Sequence, residues 1–145
     1  MNLVREKLSR YVLLKKETEN CLERLARMRS NAELPALRQG DGSKGSGSSM
    51  DRMARAVEKC MEYEAQIRPL IEANRREMAV IEDAVAALKD PLEREVLRLR
   101  YMDGEHCRML SWRKVALELY QDEDKRFIDA AMRLHRTALA NINCE

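Results

Sequence analysis

The stretches "SWRKVALEL" at residues 111–119 and "IDAAMRLHRTALANI" at residues 128–142 decide how this 145-residue chain is read. In the first, Ser111 stands where a helix N-cap belongs, and Trp112, Val115, Ala116 and Leu119 recur at the spacing of one helical face. The second continues from Phe127 with Ile128, Ala131, Leu134, Ala138, Leu139 and Ile142 in the same rhythm. Between them "QDED" (121–124) is a polar connection offering Asp122 or Asp124 as the next cap. The small side chain of Ala116 suits a close crossing of two helices. Just upstream, "KDPLEREVLRLRYMDG" (89–104) pairs Asp90 as N-cap with Pro91 at the first helical position, a favoured start. Leu92, Val96, Leu97, Leu99 and Tyr101 give this helix an apolar side, and Asp103-Gly104 ends it. Residues 89–145 therefore read as a small three-helix domain of helix-turn-helix anatomy.

Working outward, two longer helices precede this domain. Val4, Leu8, Tyr11, Leu14, Cys21, Leu22, Leu25 and Met28 trace one stripe through residues 1–34. Residues 50–88, with Ser49 or Asp51 as cap, carry a heptad-like stripe of Met53, Val57, Cys60, Glu64, Ile67, Ile71, Asn74, Met78, Ile81, Val85 and Leu88. Glu64 and Asn74 are polar intrusions of the sort that set helix register. A kink is expected near Ala65 to Pro69, because proline removes a helical hydrogen bond. The segment between the two helices, residues 35–49, holds four of the five glycines and reads as a flexible link. Neither stripe is buried by its own helix, so the two pair with each other as an antiparallel hairpin or with a second copy of the chain. The expected fold class is all-α: a long N-terminal helical hairpin or coiled coil, then the three-helix domain.

Composition narrows the function. Aromatics are only 4% of residues, and no apolar run approaches the roughly 20 residues of a membrane span. A soluble, intracellular protein without a membrane partner is expected. Cys21, Cys60, Cys107 and Cys144 are too scattered for a zinc site, so reduced thiols and no metal are expected. No phosphate-binding, dinucleotide, metalloprotease or nucleophile-elbow pattern occurs, which argues against an enzyme and against a cofactor. Net charge is +2, with residues 1–30 basic and residues 89–145 balanced at eleven acids against eleven bases.

On the last helix, burying the apolar stripe leaves Lys125, Arg126, Asp129, Arg133, Arg136 and Thr137 toward solvent. Arginine donates two parallel hydrogen bonds to guanine in a major groove, while lysine and threonine more often hold phosphates. Arg133 and Arg136 are thus the base-reading candidates, with Thr137 beside them. Lys125 and Arg126, together with Arg113 and Lys114 on the preceding helix, are candidates for positioning on the backbone. His135 on the opposite side reads as a partly buried structural histidine.

The order of "DPLEREVLRLRY" (90–101), "SWRKVALEL" (111–119) and "LHRTAL" (134–139) resembles region four of bacterial primary-type sigma factors. It resembles more closely the phage-encoded regulators that keep this module behind helical N-terminal segments, the ArpU- and RinA-type late-gene regulators. The resemblance covers roughly residues 80–142. It implies a sequence-specific transcription regulator acting at promoters on double-stranded DNA, with the N-terminal helices forming a homo-oligomer, a dimer, or holding RNA polymerase. The stretch "YQDEDKRFIDA" (120–130) is longer than the family's turn, so it lengthens either the turn or the front of the last helix. The same parts also suit a small terminase subunit for DNA packaging, or a polymerase-docking protein that touches no DNA.

Overall fold

Spacing by three and four makes long helices, and the computed structural model, which describes residues 2–37 and 46–143, has two of them: α1 (Asn2–Leu37) and α2 (Ser46–Ala86). Leu8, Tyr11, Leu14, Thr18, Leu25 and Ala32 are buried along α1, and Cys60, Ile67, Ile71, Asn74, Ile81 and Val85 along α2. Leu22, expected in the stripe, is 42% exposed, because the inward positions run through Leu14, Thr18, Cys21 and Leu25 and leave Leu22 on the flank. Helix α2 starts at Ser46, ahead of either cap expected from the sequence, and continues without a break through Pro69. A helix end is set by what stops it, and Ser46 to Ser49 offer no steric stop. The centre of the expected link, residues 38–45, lies outside the described residues, as does Cys144.

The remaining helices are α3 (Pro91–Leu97), α4 (Trp112–Tyr120) and α5 (Lys125–Asn141). Asp90 caps α3 as expected: its carboxylate accepts the Leu92 N–H at 2.9 Å. The chain then widens into a π-helical turn, Arg98–Met102, closed by the Asp103 N–H on the Arg98 carbonyl at 2.9 Å. This wider turn lets Leu99, Tyr101 and Met102 all turn inward, although a regular helix would spread them round its circumference. Leu92 does not join them. It is 49% exposed, and Glu93 is the buried neighbour, its carboxylate accepting from Asn141 at 2.8 Å. Gly104 follows because no other residue fits: a Cβ there would lie 1.8 Å from the Arg108 carbonyl oxygen.

Contacts divide the chain into two units. One comprises residues 1–16 and 74–145, so the three-helix domain expected at 89–145 is enlarged by the ends of both long helices. Its core joins Leu8 and Tyr11 of α1, Ile81 and Val85 of α2, and Val96, Leu97, Val115, Ala131 and Ala138 from the later elements. Three short helices bury too little apolar surface alone, and the borrowed helix ends supply the rest. Polar ties reinforce this: Arg10 grips the Glu77 carboxylate, the Tyr11 hydroxyl donates to Glu82 at 2.6 Å, and Lys15 donates to the Met102 carbonyl at 2.8 Å.

The other unit, residues 17–73, is a two-helix seam of Leu25, Ile67 and Ile71, flanked by Cys21 and Tyr63. Arg24 lies over the Tyr63 ring at 5.2 Å, and Arg29 pairs with Glu64 at 3.1 Å. In both units α1 runs antiparallel to α2 within one chain, as Arg10–Glu77 and Arg29–Glu64 show. The sequence left pairing within or between chains open; most of the two apolar stripes is buried within the chain, while Val57, expected in the α2 stripe, is 43% exposed.

Candidate nucleic-acid interface

Two helices at an angle need a short, sharply turned connection, and residues 121–124 provide it. The Ser111 hydroxyl caps the Lys114 N–H, and α4 ends when Gln121 adopts a left-handed conformation with φ 55° and ψ 29°. Its N–H returns to the Leu117 carbonyl at 2.9 Å. A non-glycine residue in this region costs on the order of 1 kcal/mol, so the turn is held by its surroundings. Asp122 accepts the Asp124 N–H at 2.9 Å, and Asp124 caps α5 by accepting the Lys125 N–H at 2.8 Å. The helices of 9 and 17 residues are thus joined by four residues, so the turn is short and residues 125–130 form the front of α5. Ala116 and Ala131 are both 0% exposed, and α5 packs on α4 and α3 together, as a close crossing at small residues requires.

This packing fixes which side of α5 faces outward. Ala131, His135, Ala138 and Leu139 are buried; Lys125, Arg126, Asp129, Arg133, Arg136 and Thr137 are exposed. Steps of three and four align Arg126, Asp129, Arg133, Arg136 with Thr137, and Ala140 in one stripe opposite the buried one. Helix α5 carries four basic residues, Lys125, Arg126, Arg133 and Arg136, against the single acid Asp129. Arg113 and Lys114 are exposed in the first turn of α4. All seven sequence candidates are therefore at the surface. Arg133 and Arg136 stand on the middle of the stripe with Thr137, whose hydroxyl donates back to the Arg133 carbonyl at 3.1 Å. Arg126 is partly engaged locally, 3.6 Å from the Asp124 carboxylate and over the Phe127 ring at 4.8 Å. Lys125 lies at the edge of the stripe.

Behind the stripe, a hydrogen-bond chain locks α5 in place. The Tyr101 hydroxyl is 2.7 Å from His135 Nε2, and the Trp112 ring meets the His135 ring edge-on at 4.8 Å. Burial, with Arg100, Arg5 and Arg136 nearby, pushes the His135 pKa down from 6.5 to about 4. The imidazole is therefore neutral at pH 7 and accepts the Tyr101 proton, as expected of a structural histidine. Arg100 lies over the Trp112 ring at 4.5 Å and donates to the Leu110 carbonyl. Arg5, at the start of α1, is exposed. Arg100 is the residue sequence reading missed: no local pattern brings it to Trp112, which it meets only when the later segments fold together.

Among the described residues no three His, Cys, Asp or Glu side chains gather as metal ligands, and Cys21, Cys60 and Cys107 are free thiols. No described helix is long and apolar enough to cross a membrane. Searches against protein-family models, curated proteins and solved structures return no match to this chain.

Proposed function

We propose that this chain is a sequence-specific DNA-binding regulator of the phage or prophage type, acting at promoters. The observation that carries the reading is the outward stripe of α5: Arg133, Arg136 and Thr137 stand clear of the core behind a helix-turn-helix with a four-residue turn. A helix so presented enters a major groove, where an arginine donates bidentately to guanine and Asp129 accepts from a cytosine amino group. Arg113 and Lys114 at the start of α4, with Lys125 and Arg126 at the start of α5, hold phosphates and fix the register. Most of the hairpin's apolar seam is buried within the chain, so the hairpin is better suited to contact RNA polymerase than to make a dimer through that seam. Any dimer uses another surface.

Selection of bound duplexes from a random pool at two salt concentrations tests this. A recovered consensus is expected, with binding that weakens steeply as salt rises. Arg133→Ala and Arg136→Ala are each expected to lose about 1–3 kcal/mol of preference for that consensus. Binding that is indifferent to sequence and unchanged in both variants rejects the reading.

A further inference from the structure

Within the unit of residues 17–73 the seam is a single row of side chains, and α2 carries more apolar surface than one neighbouring helix covers. Met50, Ala54, Val57, Met61 and Ala65 recur in steps of three and four, so they share one strip of α2, and all of them are exposed. Met50 and Met61 are 67% and 65% exposed. On α1, Leu22 and Arg29 are two helical turns apart and lie on one side, and Arg29 lines an open groove of about 240 Å³ with Val57 and Met61. The exposed Leu22, with Ala26 one turn on, is therefore on the same side of the hairpin as the α2 strip. Contiguous exposed apolar surface rimmed by charge marks an interaction site, whereas scattered single residues do not. The rim here is asymmetric. Glu58 and Glu62 each follow a strip residue by one position, while the buried Cys60 precedes Met61 by one, so the two acids line the edge away from α1. Neither pairs with a cation among the described residues. On the edge toward α1, the single carboxylate of Glu64 is shared by Arg29 at 3.1 Å and Arg68 at 3.6 Å, which leaves one positive charge over. An apolar strip with unpaired acids on one edge and surplus arginine on the other is complementary to itself.

We infer that this side of the hairpin is a dimer interface, covered by a second copy of the chain with the two α2 helices parallel about a two-fold axis. In that arrangement Val57 meets Val57 and Met61 meets Met61 across the axis, Ala54 and Ala65 let the helices approach, and Glu62 of each copy faces Arg29 of the other. An antiparallel pair would set the two acid edges against each other. Two hairpins joined in parallel form a four-helix bundle, which gives each one the second layer that its single-row seam lacks. The opposite side, where Arg24 lies over the Tyr63 ring, stays open to RNA polymerase. Dimerisation here does not depend on DNA binding, and a pair that does bind DNA carries two α5 stripes and needs two half-sites.

The test is sedimentation equilibrium of the full-length chain at roughly 1 to 100 µM, where dimers of ordinary strength dissociate. At the upper end the wild type is expected at twice the 16.9 kDa mass of one chain. Val57→Asp changes a residue that is exposed in the single chain, so helical circular dichroism is expected to stay while the dimer weakens more than about tenfold. Glu62→Arg, which sets a cation against Arg29, is expected to weaken it less, and Glu62→Arg with Arg29→Glu to recover most of that loss. These charge variants test the same surface should Val57→Asp unfold. A chain that sediments as a monomer at the highest concentration, or as an assembly larger than two, overturns the dimer, and so does a dimer that Val57→Asp leaves intact. If the wild type is monomeric and Val57→Asp abolishes binding to purified RNA polymerase, the polymerase and not a second copy covers this side. A Glu62→Arg dimer as strong as the wild type overturns the parallel arrangement.

Discussion

The seam of residues 17–73 and the unit of residues 1–16 and 74–145 draw on the same two long helices, yet they are built to different standards. The seam buries Leu25, Ile67 and Ile71 in a single row between two helices, with its polar ties on the outside. The larger unit uses the other ends of these helices as two walls of a core in which Leu8, Val85, Val96, Leu97 and Val115 are below 2% exposure. The same heptad pattern thus yields a half-exposed zipper where only two helices meet and a dense interior where five do. A core residue is worth what surrounds it, since a deletion costs its transfer energy plus that of the cavity left behind. The candidate DNA-reading stripe stands on the dense unit, where its geometry is held by packing on every inner position of α5.

The sharpest way to break this comparison is a matched pair of deletions. Leu97→Ala is expected to cost roughly 3–5 kcal/mol, read by denaturant unfolding with fluorescence of Trp112, the chain's single tryptophan. Ile67→Ala is expected to cost about 2 kcal/mol, read by helical circular dichroism, and to move the Trp112 transition little. If Ile67→Ala shifts the Trp112 midpoint as far as Leu97→Ala does, the two regions are one cooperative structure and the contrast fails.

Acid sharpens the contrast, because only the larger unit holds a buried histidine. The folded chain keeps His135 neutral down to about pH 4, whereas the unfolded chain takes up its proton near 6.5. Stability from this group is therefore fully present above pH 6.5 and is lost as pH falls toward 4, by up to about 3 kcal/mol. The loss should appear in the Trp112 signal, and His135→Gln should flatten it; an equally steep acid profile in that variant contradicts the assignment. The smallest effect belongs to the seam's surface. Arg29→Ala removes a partner of Glu64 at 3.1 Å, but both side chains are more than a third exposed, so less than about 1 kcal/mol should be lost. Raising salt to about 1 M should erase even that difference.

Much of the fold was legible in local spacing. The Asp90-Pro91 start, the cap at Ser111, Asp124 as one of two possible caps, the burial of Ala131, Ala138 and Leu139 in α5 and the exposure of all seven candidate residues follow from patterns within one or two helical turns. The misreadings share a cause. Leu22 and Leu92 are apolar and suitably spaced, yet they face outward while Thr18 and Glu93 are buried, because which side of a helix turns inward is set by the partner it packs on, as Asn141 does for Glu93. The spacing between Leu119 and Ala131 showed extra residues without showing where they go. That was decided by Gln121, whose left-handed turn is no glycine signature and is imposed by the packing of α5 on α4.

By itself, the sequence determined that the chain is helical, where α3 and α4 start, and which side of α5 carries arginine, because these depend on periodicity and on hydrogen bonds within a few residues. Only the tertiary structure decided that α1 and α2 close on each other within one chain, that their ends complete the core beneath α4 and α5, and that Arg100 settles over the Trp112 ring. Those outcomes depend on contacts between distant segments, and one-dimensional spacing carries no information about which distant segment comes to fill a given gap.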